Sequence, residues 1–409
     1  MSVRPSGYGE NSLANPSVLT AVANGAVVLV SVDFGEPDYA ESLNELRQLV
    51  ISAGFQVRAT IEGKRSSPDA KLFIGSGKAD ELKTMLEASE TNLVAFNHDL
   101  SPSQQRNLER FLQAKVLDRT GLILDIFAQR AKSHEGKLQV ELAQQEHLST
   151  RLVRGWTHLE RQKGGIGVRG GPGEKQLELD KRMIGVRVKQ LREKLDKLKQ
   201  QRGMQRRARK RSNTMTVSLV GYTNAGKSTL FNRLTQSGVY AADQLFATLD
   251  TTSRKMYLGD EQSEYDENGQ YLGHSEVVIS DTVGFIKHLP TMLIEAFGAT
   301  LEEAKQADLL LHIVDVASTN RDAQIAQVNK VLNEIGALQV PQIVVLNQID
   351  RLDGLTADSG AGFQRDEYGR IIQVRVSAKT GAGLEFIKLA LTERQQFLKK
   401  LSTEESTYA

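Results

Sequence analysis

The sequence has no cysteine and no long hydrophobic run, and each absence excludes a class of structure. Without cysteine the chain can form no disulfide bond and can offer no thiolate to a metal ion, which is typical of the reducing cytosol. The longest apolar runs, at 25–32 and 309–314, have the length of a β-strand, so we expect no membrane-spanning helix. Residues 1–24 lack the basic and apolar regions of a signal peptide, and we therefore expect a cytoplasmic location.

Positive charge is concentrated in one segment of the chain. The whole sequence carries a net charge of +2, but residues 151–211 hold 20 Lys and Arg against 6 Asp and Glu. The rest of the chain is therefore acidic. A localised basic segment predicts contact with a polyanion such as RNA, with a solvated basic helix as the alternative interpretation.

The pattern of apolar residues predicts an α/β fold class with several domains. After a disordered N-terminus at 1–24, alternating strand-like and helical runs predict an N-terminal α/β domain with a mainly parallel sheet at 25–130. Residues 131–212 predict a basic, long antiparallel helical hairpin with a glycine-rich tip at 164–174. In the N-terminal domain, Gly-Ser-Gly-Lys at 75–78 is interpreted as a turn before a helix, although a nucleotide site there stays open.

The segment at 213–400 again alternates strands and helices, and we expect a flexible tail at 401–409. Its residues 221–228 read Gly-Tyr-Thr-Asn-Ala-Gly-Lys-Ser, between a predicted strand and a predicted helix, which is the context that a P-loop requires. The loop N–H groups would hold phosphate oxygens, Lys227 would reach the β- and γ-phosphates, and the Ser228 hydroxyl would bind Mg²⁺. The predicted phosphate-binding residues are Gly221, Tyr222, Thr223, Asn224, Ala225, Gly226, Lys227 and Ser228.

A second phosphate motif follows the predicted strand at 276–280. It consists of Asp281, Thr282, Val283 and Gly284. Asp281 would hold the Mg²⁺ shell through water, and the Gly284 N–H would face the γ-phosphate. The next residue is Phe285, where many G proteins have a glutamine that orients the attacking water. We therefore predict slow intrinsic hydrolysis and a missing group that comes from elsewhere.

Two further motifs predict recognition of guanine. Asn347, Gln348, Ile349 and Asp350 resemble the Asn-Lys-x-Asp motif of G proteins, with Gln348 in place of the lysine. The Asp350 carboxylate can accept hydrogen bonds from the guanine N1–H and 2-amino groups, a pair of donors that adenine lacks. Ser377, Ala378 and Lys379 resemble the motif whose backbone supports the base carbonyl. A GTPase domain, or G domain, is thus predicted at 213–400.

The segment between the P-loop and the second motif has the position of a switch loop. It contains Phe246, Ala247, Thr248, Leu249 and Asp250. Thr248 is the predicted second Mg²⁺ ligand beside Ser228, with Thr251 and Thr252 as rivals. The predicted catalytic residues are Lys227, Thr248 and Gly284.

Taken together, these motifs resemble the bacterial HflX family of ribosome-associated GTPases. The similarity is most specific at 222–225, at 246–250 and in the glycine-rich loop 164–174, and it extends over about 25–400. One departure is the Gly-Gly-Pro at 170–172, where the family is expected to carry a single glycine. We expect a monomer that uses GTP, GDP and Mg²⁺. In several G proteins that resemble this one, a P-loop asparagine helps to bind K⁺, so K⁺ beside Asn224 is a second candidate ion.

The resemblance also implies a partner, the large ribosomal subunit and its rRNA, which would stimulate hydrolysis. Splitting or rescue of stalled or idle ribosomes would follow. The candidate RNA contacts are Arg169, Arg206, Arg207, Arg209 and Arg211.

Two other functions remain as alternatives. A membrane-surface GTPase is disfavoured because the basic helices lack aromatic residues on an apolar face. The other is a non-catalytic RNA-binding adaptor that holds GTP only as a structural ligand. A measurement of GTP turnover would distinguish it from a GTPase.

Overall fold

The computed structural model describes residues 25–154, 172–211, 214–236, 245–246, 249, 252–258, 276–287, 290–296, 298–352 and 360–407. Its internal contacts divide the chain into two compact units. Described residues up to Gln129 and those at 151–154 form the first unit, and Arg130–Thr150 with the described residues from 172 onward form the second. The predicted domain limits at 130 and 212 stay predictions.

The first unit contains a small parallel sheet covered by helices. Its elements are β1 (Ala26–Asp33), α1 (Tyr39–Ser52), β2 (Gln56–Lys64), α2 (Ser76–Ala88), β3 (Leu93–Phe96), α3 (Pro102–Leu112), β4 (Lys115–Leu117) and α4 (Arg119–Arg130). The strand order is β2-β1-β3-β4, and every neighbouring pair is parallel. Strand β1 is buried along nearly its whole length, as expected of an inner strand in a parallel sheet. The predicted α/β fold with a parallel sheet is confirmed for this unit.

Local hydrogen bonding decides two details of this unit. Ser101 caps α3, because its hydroxyl accepts the Gln104 N–H while the Gln104 side chain accepts the Ser101 N–H. The apolar residues at 71–74 predict a short strand from the sequence alone, and the structure shows that this prediction is wrong. The Asp69 carboxylate accepts the N–H groups of Lys71 and Leu72, at 2.8 Å each, and the chain forms a tight turn instead.

Two long helices form the middle of the chain, α5 (His134–Arg154) and α6 (Pro172–Arg211). Leu138 and Leu142 of α5 belong to one apolar cluster with Leu191 of α6. Arg187 Nε donates to the Glu141 carboxylate at 2.7 Å, which adds a polar contact between the helices. The predicted helical middle region is therefore confirmed, whereas residues 164–171 of the predicted tip lie outside the described residues.

The rest of the second unit is a second α/β sandwich. Its elements are β5 (Met215–Gly221), α7 (Lys227–Thr235), β6 (Thr252–Tyr257), β7 (Glu276–Asp281), α8 (Thr291–Ala296), α9 (Gly298–Lys305), β8 (Leu309–Asp315), α10 (Arg321–Glu334), β9 (Gln342–Asn347), β10 (Gly362–Arg365), β11 (Ile371–Arg375) and α11 (Leu384–Thr407). The strand order is β10-β11-β9-β8-β5-β7-β6. Strand β6 pairs antiparallel with β7, and β10 pairs antiparallel with β11.

The inner strands of this sheet are parallel to one another, which brings their carboxyl ends to one edge. Ligands of open α/β sheets bind at this edge. Helix α11 packs on the same sheet through Ile387 and Leu391 and continues to Thr407. Residues 401–407 of the predicted flexible tail thus belong to this helix, and the flexibility of the tail stays a prediction.

Candidate nucleotide-binding site

The P-loop connects the central strand β5 to α7, as its motif predicts. Helix α7 begins at Lys227, directly after Gly226 in the left-handed conformation at φ 88°. A Cβ atom on Gly226 would overlap the side-chain amide of Asn347. Only glycine combines this backbone angle with so close an approach. Gly226 also has no side chain that could cap the N-terminus of α7, where helix N–H groups favour anions.

Lys227 lies over the P-loop in a buried position. Its ammonium group donates to the carbonyl of Tyr222 at 2.7 Å and to that of Gly221 at 3.1 Å. The side chain is 6% exposed, and burial lowers the pKa of Lys227 to about 8, although Asp281 acts in the opposite direction. Near pH 7 the group is mainly protonated, so it can serve as a cation for phosphate oxygens.

Ser228 and Asp281 form the candidate metal site. The Ser228 hydroxyl donates to Asp281 Oδ2 at 2.7 Å, and Asp281, the last residue of β7, is fully buried. Hydroxyl and carboxylate oxygens are the ligands that Mg²⁺ prefers, and it takes further ones from substrate phosphates and water. Among the residues that the structure describes, no group of three or more His, Cys, Asp or Glu forms a metal site elsewhere. The donor set at Ser228 and Asp281 thus fits the predicted ion.

Gly284 brings the second phosphate motif against the P-loop. A Cβ atom at this position would lie 2.7 Å from Thr223 Cγ2 and 3.0 Å from Lys227 Nζ. The motif is anchored by Thr282, whose hydroxyl donates to the Leu219 carbonyl at 2.6 Å. A side chain on residue 284 would therefore collide with the group predicted to hold the γ-phosphate.

Phe285 points away from the site. Its N–H donates to the Gly221 carbonyl at 3.1 Å, and its own carbonyl accepts the Thr223 N–H at 2.7 Å. The ring is 1% exposed and belongs to an apolar cluster with Leu301 and Leu310. Sequence analysis recognised that phenylalanine cannot orient water. It could not show that the side chain at this position lies in the hydrophobic core.

The base-reading motif is joined to both neighbouring motifs by one side chain. The Asn347 amide donates to the Ala225 carbonyl at 2.9 Å, and its oxygen accepts the Ala378 N–H at 2.9 Å. The Ser377 hydroxyl donates to Asp350 at 2.6 Å, which fixes the orientation of the carboxylate. Three segments predicted separately from the sequence therefore meet in one place.

Arg351 was not predicted to belong to this site. The Gln348 amide donates to the Asn224 carbonyl at 3.0 Å, and Arg351 donates to the Gln348 side-chain oxygen at 2.6 Å. Arg351 also pairs with Asp315 at 3.0 Å. A guanidinium group thus lies beside the position where the resembling motif has a lysine. The sequence signal was weak, because it is a single Arg three residues after Gln348.

Some of the remaining predicted residues have described positions, and others lie outside the described part of the chain. Val283, Ile349 and Ala378 are buried, and the Lys379 carbonyl accepts a hydrogen bond from Arg233 at 2.6 Å. Phe246 and Leu249 are each 2% exposed. Lying outside the described residues are Ala247, Thr248, Asp250, Thr251 and Arg169. Helix α6 contains Arg206, Arg207, Arg209 and Arg211, whose side chains are not described. The roles assigned to all these residues stay predictions.

Comparison with known proteins matches three family models to consecutive parts of the chain. They are described as GTP-binding GTPase N-terminal at 40–128, GTP-binding GTPase Middle Region at 130–209 and 50S ribosome-binding GTPase at 216–348. Within the described residues, no helix combines the length and the apolar character that crossing a membrane requires.

Similar proteins cover most of the chain. GTPase HflX of Escherichia coli (strain K12) is 51% identical over 372 residues, which is 91% of this chain and 83% of that protein. GTPase HflX of Magnetococcus marinus is 46% identical over 343 residues, which is 84% of this chain and 75% of that protein. A GTP-binding protein of Sulfolobus solfataricus, solved with GDP, is 23% identical with a TM-score of 0.46, over 91% of this chain and 99% of that one.

Proposed function

Because the chain belongs to the GTPase HflX family, a family of GTP hydrolases, we propose that it binds the large ribosomal subunit and couples GTP binding and hydrolysis to splitting or rescue of stalled or idle 70S ribosomes. The observation that carries this proposal is the convergence of the P-loop, the Asp281–Gly284 motif and the base-reading motif at one sheet edge. The same chain carries a basic helical region that suits rRNA. We place this activity in the cytoplasm and assign it to a monomer.

Guanine is recognised by Asp350, held in orientation by Ser377. The P-loop N–H groups and the Lys227 ammonium bind the phosphates, and the buried position of Lys227 strengthens its attraction for them. The Gly284 N–H donates a hydrogen bond to the γ-phosphate, since Gly284 lies against Lys227 and Thr223. The presence or absence of the γ-phosphate therefore changes the position of the chain that follows Asp281.

Ser228, with Asp281 through water and the predicted Thr248, would hold Mg²⁺, which neutralises charge on the β- and γ-phosphate oxygens. Asp281 keeps the Ser228 hydroxyl in place through their 2.7 Å hydrogen bond. Burial of Asp281 at the end of β7 excludes bulk water from this contact.

Hydrolysis without a partner is slow. Phe285 has no group that could orient water, and its ring is packed in the core. The large subunit supplies the missing function by positioning the switch segment or the attacking water, with K⁺ beside Asn224 as a further source of positive charge. Rates in potassium and sodium at equal ionic strength test the potassium part, and equal rates would exclude it.

The basic segment provides affinity for RNA, and the glycines of the tip allow its backbone to come close to the RNA. In the proposed complex the tip enters the RNA-lined peptidyl-transferase region of the large subunit, where it would clash with bound tRNA. A GTPase can shift ribosomes toward separated subunits only by binding the separated state more tightly. GTP is therefore expected to raise affinity for the free large subunit.

Co-sedimentation with ribosomal subunits tests this function. We expect binding to the large subunit that is tighter with a non-hydrolysable GTP analogue than with GDP and that weakens steeply with salt. Replacing Arg206, Arg207, Arg209 and Arg211 with Ala should reduce affinity and flatten the salt dependence. Deleting residues 165–171 should retain much of the affinity but impair ribosome splitting or rescue. Equal binding in both nucleotide states, or full dissociation by the deletion variant, would contradict the proposal.

A further inference from the structure

A chain of polar side chains leads from the helical region toward the nucleotide site, within the second unit. It begins at Arg202 of α6. One nitrogen of its guanidinium group lies 2.8 Å from the Glu135 carboxylate of α5, and another lies 3.7 Å from Glu303 Oε1 of α9. Arg202 therefore connects the helical region to a helix of the GTPase sheet.

Glu303 continues the chain to two strands. Its second oxygen, Oε2, accepts a hydrogen bond from the Ser253 hydroxyl of β6 at 3.3 Å. The Ser253 and Ser280 hydroxyls are 2.8 Å apart, and the two residues are direct partners in the β6–β7 ladder. The contact thus reaches the pair of strands that are joined side by side at this edge of the sheet.

Each of these strands is continuous in the chain with residues assigned above to the nucleotide site. Ser280 directly precedes Asp281, which accepts the Ser228 hydrogen bond at 2.7 Å. Ser253 directly follows Thr252, the partner of Asp281 in the ladder and the first residue of β6 after the predicted switch segment. A shift of Glu303 would therefore act on β6 next to the predicted switch segment and on β7 next to the second phosphate motif.

The partly buried position of these groups allows a measurable effect. Glu135 and Glu303 are each 12% exposed and Arg202 is 28% exposed, so solvent screens their attraction less than at an open surface. A neighbouring pair differs in this respect. Lys199, also on α6, is 56% exposed and lies 3.1 Å from Glu302, which also accepts a hydrogen bond from Gln306, the residue directly after α9. That contact ends at the surface of α9.

We infer that Arg202 is a positioning residue that couples the state of the nucleotide site to the position of α6, through Glu303, Ser253 and Ser280. The inference rests on the proposed function for the role of Asp281 and of the helical region. By linkage, if GTP favours one arrangement of β6 and β7, a partner that holds α6 in the matching position favours GTP by the same factor.

The test compares affinities for a GTP analogue and for GDP in the full chain, by titration without ribosomes. Arg202→Gln and Glu303→Gln should each change the ratio of the two affinities by about 2- to 30-fold. Lys199→Gln is the matched control, because it removes the same charge from the same helix beside the same α9. It should leave the ratio within about twofold of the unaltered chain.

Three further variants separate coupling from general stability. The double variant of Arg202→Gln with Glu303→Gln should change the ratio no more than the larger single change, because each single change already removes the contact between Arg202 and Glu303. Ser253→Ala should reproduce the effect from the strand side, and Arg202→Lys, which keeps the charge, should restore the ratio in part. Destabilisation alone would lower both affinities equally and leave the ratio unchanged.

The outcomes are distinct. A ratio that changes with Arg202→Gln but not with Lys199→Gln, together with non-additivity in the double variant, supports the coupling. The same ratio in Arg202→Gln as in Lys199→Gln, or additive effects of Arg202→Gln and Glu303→Gln, would overturn it. Since ribosomes are absent from the titration, failure of the proposed ribosome binding leaves its result intact. Failure of the coupling likewise leaves co-sedimentation of the unaltered chain intact.

Discussion

Asn347 holds Ala225 by a 2.9 Å hydrogen bond across 122 residues of sequence, and the same side chain accepts the Ala378 N–H at 2.9 Å. Asn347 is 1% exposed, so neither partner group can turn to water when the amide is removed. One side chain therefore stabilises the relative position of the phosphate-binding and base-binding motifs even without ligand.

We expect Asn347→Ala to lower the free energy of unfolding by about 2–4 kcal/mol, because it leaves a buried carbonyl and a buried N–H unpaired. Urea unfolding measures this effect. Gln348→Ala is the control, since it also removes an amide that donates to the P-loop, at Asn224, but at a partly exposed position. Its cost should stay below about 1 kcal/mol. Equal costs for the two variants would show that Asn347 has no special role in joining the motifs.

Asp350→Asn should change base preference rather than stability. The amide presents one donor and one acceptor where the carboxylate presents two acceptors, so it no longer matches the N1–H and 2-amino pair of guanine. GTP affinity should fall by at least about 10-fold, with a gain for xanthosine triphosphate. Parallel titrations with the two nucleotides measure the change, and unaltered GTP affinity would remove Asp350 from the guanine site.

Phe285→Gln should destabilise the protein without accelerating hydrolysis. The new amide would be buried in an apolar cluster, which costs about 3–5 kcal/mol. Phe285→Leu keeps an apolar side chain and should cost roughly 1–2 kcal/mol. The turnover per folded molecule should be the same in both variants. A stable Phe285→Gln protein with faster basal hydrolysis would show that the side chain at this position can reach the site.

His312 on β8 makes stability sensitive to acid. Burial lowers the pKa of His312 to about 4, from an ordinary value of 6.5, and the side chain is 2% exposed. Between these values the unfolded chain binds more protons than the folded one, so the free energy of unfolding falls as pH falls through this window. We expect a loss of roughly 2 kcal/mol between pH 7.5 and pH 5 from this group.

His312→Asn should remove that part of the pH dependence, while His134→Asn, at an exposed position on α5, should leave it in place. Urea unfolding at the two pH values gives both differences. The assignment to His312 would be wrong if its variant lost as much stability on acidification as the unaltered chain does.

The sequence predicted the parts of the nucleotide site that are continuous in the chain. The residues 221–228 and 281–284 occur where their flanking strands and helices were expected, because such motifs specify local backbone conformation. Contacts across the fold could not be read in this way. The meeting of Ser253 with Glu303, and the packing of Phe285 in the core, depend on which helix covers the sheet and in which register.

A local competition explains the error at 71–74. The apolar residues Leu72, Phe73 and Ile74 are buried, as the hydrophobic pattern requires. The Asp69 side chain captures the N–H groups that a strand would offer to its neighbour, so burial is achieved through a turn instead. Periodicity predicted which residues enter the core but not the backbone conformation that carries them there.

The nucleotide site is completed by residues that come late in the chain, and this has a consequence for the protein during its synthesis. The P-loop follows β5 early in this unit, but Asn347 and Ala378 come much later, and Ile387 and Leu391 of α11 complete the core under the same strands. Such long-range contacts form late and slowly in folding. A nascent chain that extends beyond residue 228 but not to residue 391 therefore contains the whole P-loop but lacks residues that stabilise it in the folded protein. We therefore expect nucleotide binding to begin only after residue 391 has been made.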